Sequence, residues 1–149
     1  MGKRRCRIKK MNRHQARELA FSLLFEHEFD KERVPAELYD TAKASRDAEE
    51  SKYVRTVIAG VAEHEAEIEG LVAEASRGWS LSRISKVALS ILKLAIYEML
   101  YMPDIPIRVS LNEAIELTKA YAEEEARPFV NGILNTVAER AKASRADEA

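Results

Sequence analysis

The 149-residue chain contains little cysteine, glycine or proline. Its one cysteine, Cys6, excludes a disulfide within the chain. Five glycines and four prolines provide few of the signals that mark turns between strands. The sequence also lacks internal repeats and the alternation of apolar and polar residues that is typical of strands. These absences favour an all-helical protein, and the abundance of Ala, Glu, Leu, Lys and Arg supports that interpretation.

The residue patterns that carry catalysis or cofactor binding are missing as well. The sequence has no glycine-rich fingerprint for a nucleotide. His14, His27 and His64 lie far apart in the chain, and the acids beside the last two point about 100° away from them on a helix. These side chains therefore do not converge on a metal. Because no Ser, Cys or Lys has an evident base partner, we predict no catalytic residue, no metal, no cofactor and no enzymatic activity.

The segment from Ile84 to Tyr101 is apolar over nearly its whole circumference when it is drawn as a helix. Such a helix must be covered on most sides, so we expect it to be the central helix on which the others pack. It is shorter than a membrane span and carries Lys86, Lys93 and Glu98, which argues against a transmembrane segment. The N-terminus has no apolar segment of signal-peptide length, so we expect a cytoplasmic protein without a membrane partner.

Helical periodicity and end signals predict further helices on both sides of this segment. Ser110 and Glu113 have the spacing of a capping box, which would start a helix at Ser110. Gly60 and Gly132 fall inside predicted helices and indicate close contacts with neighbouring helices. The expected helices outside the central segment are 12–29 with Asn12 as its N-cap, 35–44, 51–75, 110–121 and 128–142.

These helices predict the organisation of the whole chain. Residues 1–11 are expected to form a flexible basic arm, and residues 143–149 a fraying tail. Residues 12–142 between them are expected to form one all-helical domain, with sub-bundles of about 12–76 and 79–142.

The net charge of −1 conceals an uneven distribution along the chain. Residues 1–17 contain eight basic side chains and no acid, which leaves 16 basic and 25 acidic side chains in the rest. A basic arm on an acidic body suggests a polyanionic partner, with RNA or DNA first. The alternatives are a solubilising tail, or a natural start at Met11 that would make much of the arm incidental.

Arg13 and Arg17 are four residues apart, so they share one face of the first predicted helix. Guanidinium groups bind phosphate through two parallel hydrogen bonds, and two of them side by side can follow an RNA strand. The alternative is that both are solvated residues at a helix end.

Four segments of the chain carry recognisable motifs, and they are RHQARE from Arg13, ILKLAIYE from Ile91, IPIRVSLNEAIELTK from Ile105, and FVNGIL from Phe129. The third and fourth are the most specific, because they give a P-x-x-V-x-x-N-E-A-x-E-L-x-K pattern followed by F-V-N-G. Taken together and in order, the four segments resemble the NusB family of bacterial transcription antitermination factors.

The resemblance implies a fold class and a function. The fold would be all-α, with two packed helical bundles of about six to seven helices around the central apolar helix. The protein would bind single-stranded boxA RNA of ribosomal RNA transcripts together with NusE, a small-subunit ribosomal protein. The pair would join the RNA polymerase antitermination complex and suppress premature termination, without enzymatic activity.

The resemblance also implies an RNA surface at the arginine-rich N-terminus and at the start of the last helix. Phe129 could stack on a base there, or it could belong to the core. Pro128 stands where many members have Lys, so one phosphate contact is lost, or passed to Arg127 or the arm. The RNA-binding residues that this implies are Lys9, Lys10, Arg13, Arg17, Arg127 and Phe129.

For the NusE surface, which the family places mainly in the C-terminal half, we predict a polar strip on the central helix. Its residues are Arg83, Lys86, Lys93 and Tyr97, and the alternative is a plain solvated face. Two other functions stay open. One is an RNA-binding module that serves a ribosomal RNA methyltransferase, and the other is a structural helical adaptor, possibly a homodimer, with an incidental arm.

Overall fold

The computed structural model describes residues 12–33, 37, 39–40, 52–77 and 80–148, with side chains through residue 145. Within these residues the chain forms six α-helices, two 3₁₀ turns and no strand, so the all-helical prediction is confirmed. The α-helices are α1 (Arg13–Phe29), α2 (Lys52–Glu63), α3 (Glu65–Ala75), α4 (Lys86–Tyr101), α5 (Ile107–Tyr121) and α6 (Arg127–Glu148); the 3₁₀ turns are Leu81–Arg83 and Glu124–Ala126.

Several predictions fall on residues outside this description. They are the basic arm at 1–11 and most of the predicted helix at 35–44, of which Glu37, Tyr39 and Asp40 are described and are helical. Within the described helices, none is long and apolar enough to cross a membrane.

The chain divides into two compact units, Met1–Ala59 and Gly60–Ala149. The division falls inside α2, earlier in the chain than the expected boundary between residues 76 and 79. The first unit contains α1, whose start at the predicted N-cap Asn12 is confirmed. The Asn12 side chain accepts a hydrogen bond from the Gln15 amide at 2.8 Å, and the Gln15 side chain accepts one from the Asn12 amide at 3.0 Å. This reciprocal box fixes the first turn of α1.

In the second unit, α4 forms the core. Every residue from Ala88 to Met99 is buried, which confirms the prediction of a central helix. Helices α3, α5 and α6 pack on α4. The N-cap of this helix is Ser85, whose hydroxyl accepts a hydrogen bond from the Ala88 amide at 3.1 Å.

Two predicted helices differ from the structure, one by an interruption and the other by an earlier start. The predicted helix at 51–75 is interrupted at His64, which leaves helical geometry (φ −109°, ψ 20°) and stacks on the Tyr101 ring. The capping box at Ser110 is wrong, because α5 already begins after Pro106, whose φ of −59° suits a helix start. Ser110 instead lies inside α5, where its hydroxyl donates to the buried Glu98 carboxylate at 2.7 Å.

The C-terminal end of α6 also differs from the prediction. This helix continues to Glu148, whereas the sequence suggests fraying from residue 143. Its Arg145 side chain holds the last turns against α4. The guanidinium donates to the carbonyls of Ile105 and Met99 at 2.9 Å, and to those of Glu98 and Met102 at 3.3 Å. Three of these carbonyls lie at the C-terminal end of α4, where Glu98 also accepts from the Met102 amide and Met102 from the Ile105 amide.

The two glycines for which a close helix contact was predicted have different surroundings. A Cβ atom at Gly60 would overlap the Tyr97 ring, so the predicted close contact is confirmed there. At Gly132 a Cβ atom would meet nothing within 4 Å, so that prediction is wrong.

Candidate nucleic-acid interface

The start of α1 brings three residues of the first unit together. The Arg13 Cζ atom lies 4.4 Å from the centroid of the Tyr53 ring, and the Arg17 Cζ atom lies 5.7 Å from it. Both distances fall within the range of a cation–π interaction. We refer to Arg13, Arg17 and Tyr53 as the arginine–tyrosine cluster.

The two arginines of the cluster differ in exposure. Arg13 is exposed, and its guanidinium can offer donors to a phosphate group. Arg17 is only 4% exposed, so the alternative that both arginines are solvated is wrong for Arg17, and its guanidinium has almost no surface to offer RNA beside Arg13. Weak hydration and stacking on an aromatic face allow a guanidinium to be buried in this way.

Sequence reasoning missed Tyr53. The residue is 6% exposed and belongs to α2, and its position in the apolar pattern of that helix indicated only core packing. No spacing rule links it to Arg13, because the contact joins two helices that are distant in the chain. The remaining predicted RNA residues of the N-terminal region, Lys9 and Lys10, lie outside the described residues.

A second group of predicted RNA residues lies at the start of α6, in the other unit. Arg127 is half-buried and donates to the Lys119 carbonyl at the end of α5 at 3.1 Å. Phe129 is also half-buried, and it lines an open cavity of about 430 Å³. The other lining residues are Arg83, Ile84, Ser85, Ala88, Glu123, Glu125 and Ala126.

This cavity has an apolar wall and three charged side chains. Arg83 contributes a guanidinium, and Glu123 and Glu125 contribute carboxylates. A cavity of this size with few polar groups suits a planar aromatic ligand against Phe129, while the two carboxylates disfavour a phosphate in the same place.

The predicted partner strip is exposed only at its start. Arg83 and Lys86 are exposed, whereas Lys93 is 1% and Tyr97 is 8% exposed. The prediction of an exposed partner surface is therefore wrong for Lys93 and Tyr97.

The reason for the burial of Lys93 is a pair of carboxylates on α3. The Lys93 Nζ atom lies 2.7 Å from Glu65 Oε2 and 2.8 Å from Glu69 Oε2. A buried ammonium is tolerated when oppositely charged groups replace its water. Lys93 of the polar strip thus faces two carboxylates of α3.

Two tyrosines of α4 have raised pKa values. Burial, and then the Glu63 carboxylate, raise the pKa of Tyr97 above its ordinary value. The hydroxyl of Tyr101 donates to Glu67, and this hydrogen bond is the main reason that the pKa of Tyr101 rises to about 12. Among the described side chains, no three metal-ligating groups lie close enough together to hold a metal ion.

The fold and the arginine–tyrosine cluster define an all-helical protein with a cationic site suited to phosphate groups. The sequence profile of the NusB family matches residues 14–139. The transcription antitermination protein NusB of Acetivibrio thermocellus is 42% identical over 128 residues, which are 85% of this chain and 88% of that protein. The chain belongs to the NusB family.

Solved structures agree with this membership. The structure of T. maritima NusB has a TM-score of 0.75 and 36% identity, covering 88% of this chain and 93% of that one. A structure of the antitermination factors NusB and NusE in complex with double-stranded RNA has a TM-score of 0.76. Its identity is 24% over 87% of this chain and 99% of that one, so it shows a likeness of fold alone.

Proposed function

We propose that this chain is a cytoplasmic transcription antitermination factor that binds boxA-type single-stranded RNA of ribosomal RNA transcripts together with NusE. The observation that carries the proposal is membership of the NusB family over residues 14–139. The cationic cluster at the start of α1 supports it, because the arginine-rich motif of the family falls at this helix.

In the proposed complex the exposed Arg13 guanidinium binds a phosphate of the RNA, and Lys9 and Lys10 extend the contact along the backbone. Arg127 and Phe129 form a second proposed RNA contact, within the second unit. The face of Phe129 at the cavity stacks on a base, a contact worth about 1–3 kcal/mol. The rest of the chain is acidic, so the contact stays local.

For the partner, we propose that NusE binds at the start of α4, where Arg83 and Lys86 are exposed. The pair would then join the RNA polymerase antitermination complex as a binding factor, without catalysis. A homodimer of the free protein would compete with NusE for this surface. Light scattering of the purified chain distinguishes a homodimer from a monomer.

The proposal is tested by measuring the affinity of the purified chain for a boxA RNA, a scrambled RNA of equal length and a boxA duplex. Each titration is run with and without NusE at two salt concentrations. We expect a preference for single-stranded boxA that NusE strengthens and salt weakens, with log K falling by about 0.7 per phosphate neutralised.

Arg13→Ala is expected to weaken boxA binding, whereas Arg55→Ala provides a matched control. Arg55 also lies over a tyrosine of the first unit, with its Cζ atom 4.7 Å from the Tyr39 ring, so both variants lose one guanidinium from a similar contact. Equal weak binding to boxA and scrambled RNA, unaffected by NusE, would contradict the proposal and favour the structural adaptor.

A further inference from the structure

We propose that Tyr53 is a positioning residue of the RNA site, which holds the Arg13 guanidinium in the orientation that binds phosphate. In this arrangement Arg17 supports the ring and does not itself contact RNA. The inference rests on the proposed function and refines it, since it assigns a different role to each member of the arginine–tyrosine cluster.

The geometry around Arg13 carries the first step. The Arg13 side chain is exposed at the first residue of α1, where a free arginine would sample many rotamers. The Tyr53 ring lies beneath it, with 4.4 Å between Cζ and the ring centroid, and the ring itself is 6% exposed. A buried ring cannot move with the side chain, so it restricts the guanidinium before RNA arrives. Less conformational entropy is then lost on binding.

The burial of Arg17 carries the second step. At 4% exposure its guanidinium has almost no surface to present to a phosphate. Its Cζ atom nevertheless lies 5.7 Å from the same ring centroid, so its positive charge remains close to the site. Two cations on one ring repel each other, and a phosphate bound at Arg13 lowers that repulsion. The cluster therefore favours an anion at its exposed member.

A double-mutant cycle on boxA affinity tests the inference, with the full chain in all arms. Tyr53→Phe keeps the ring face and should stay within about twofold of the parent. Tyr53→Leu removes the ring and should weaken binding about two- to fivefold, with a salt slope lower by up to about 0.7. In the Arg13→Ala background, Tyr53→Leu should cause no further loss.

Two outcomes overturn the inference while the proposed function stands. One is equal affinity and salt slope for Tyr53→Leu and the parent, measured where both are folded, which would leave Tyr53 a purely structural role. The other is the same loss from Tyr53→Leu with and without Arg13, which would show that the ring does not act through that arginine. A parent that shows no preference for boxA overturns the proposed function itself.

A measurement on the parent chain does not depend on the folding of any Tyr53 variant. Ring current from Tyr53 should shift the Nε–H resonance of Arg13 upfield, and boxA RNA should move that resonance. Arg55 over Tyr39 serves as the internal control, because its resonance should stay in place. An Arg13 resonance that does not respond to RNA overturns the inference.

Discussion

At the scale of single residues, Gly60 shows how much depends on one missing methyl group. We expect Gly60→Ala to lower the free energy of unfolding by about 1–3 kcal/mol, because the new Cβ atom would overlap the buried Tyr97 ring. Gly70→Ala is the matched control in α3. Nothing lies within 4 Å of a Cβ atom there, so it should stabilise the helix by about 1 kcal/mol.

Urea unfolding of both variants and the parent measures the difference. Equal shifts of the same sign for Gly60→Ala and Gly70→Ala would show that the Tyr97 contact does not limit the packing at Gly60.

Buried charges are also explained at this scale. Lys93 and Glu98 of the central helix carry charged groups, yet each is only 1% exposed. The Lys93 ammonium meets Glu65 and Glu69, and the Glu98 carboxylate accepts from Ser110. The sequence places Lys93 on a polar strip correctly, but the spacing of a strip does not reveal whether it faces water or two carboxylates.

At the scale of elements, Arg145 links the end of α6 to the end of α4. We expect Arg145→Ala to lower the free energy of unfolding by about 1–3 kcal/mol, because the Met99 and Ile105 carbonyls lose the hydrogen bonds that the guanidinium donates to them at 2.9 Å. Arg140→Ala, on the same helix, is the control. Arg140 forms an exposed ion pair with Glu74, and such pairs contribute about 0–1 kcal/mol.

Thermal unfolding of the two variants provides the comparison. If Arg140→Ala destabilises the chain as much as Arg145→Ala, the effect is a general loss of charge from α6, and the contact with α4 carries no special weight.

Most helices could be predicted from the sequence, and the errors have identifiable physical causes. The central helix and the cap at Asn12 depend on local pattern, and both were predictable. The predicted helix start at Ser110 was wrong because two start signals lie within a few residues of each other, and the helix begins after Pro106. The Ser110 hydroxyl instead donates to the Glu98 carboxylate on another helix. In the extended part of α6, Arg145 donates to the carbonyls of Met99 and Ile105, a contact that no local pattern reveals.

The candidate site could be predicted only in part, for the same reason. The spacing of Arg13 and Arg17 places both guanidiniums on one face of α1, and both contact the same ring. Their different exposure depends on tertiary contacts, and so does the cavity beside Phe129, to which residues from two separate segments contribute.

At the scale of the whole molecule, the charge distribution predicts how the arm acts. Residues 1–10 contain six basic side chains, so their deletion would change the net charge from −1 to −7. We expect the shortened chain to bind boxA and scrambled RNA more weakly by a similar factor, and with a smaller salt slope, because phosphate contacts carry no sequence information. Fluorescence anisotropy at several salt concentrations measures both quantities.

The preference for boxA over scrambled RNA should survive this deletion. If the preference disappears together with the affinity, the arm itself reads the sequence, and the folded helices serve mainly to present it.

The contact between Lys93 and the two carboxylates of α3 also has a consequence for chemical labelling. Of the lysines that the structure describes, Lys93 is the one whose side chain is buried. An amine-reactive reagent can reach its Nζ atom only while α3 separates from α4, whereas Lys86 and Lys119 are exposed. The acylation rate of Lys93 therefore reports how often this helix pair opens. The acylation rates of the exposed lysines in the same molecule give the reference for an accessible amine.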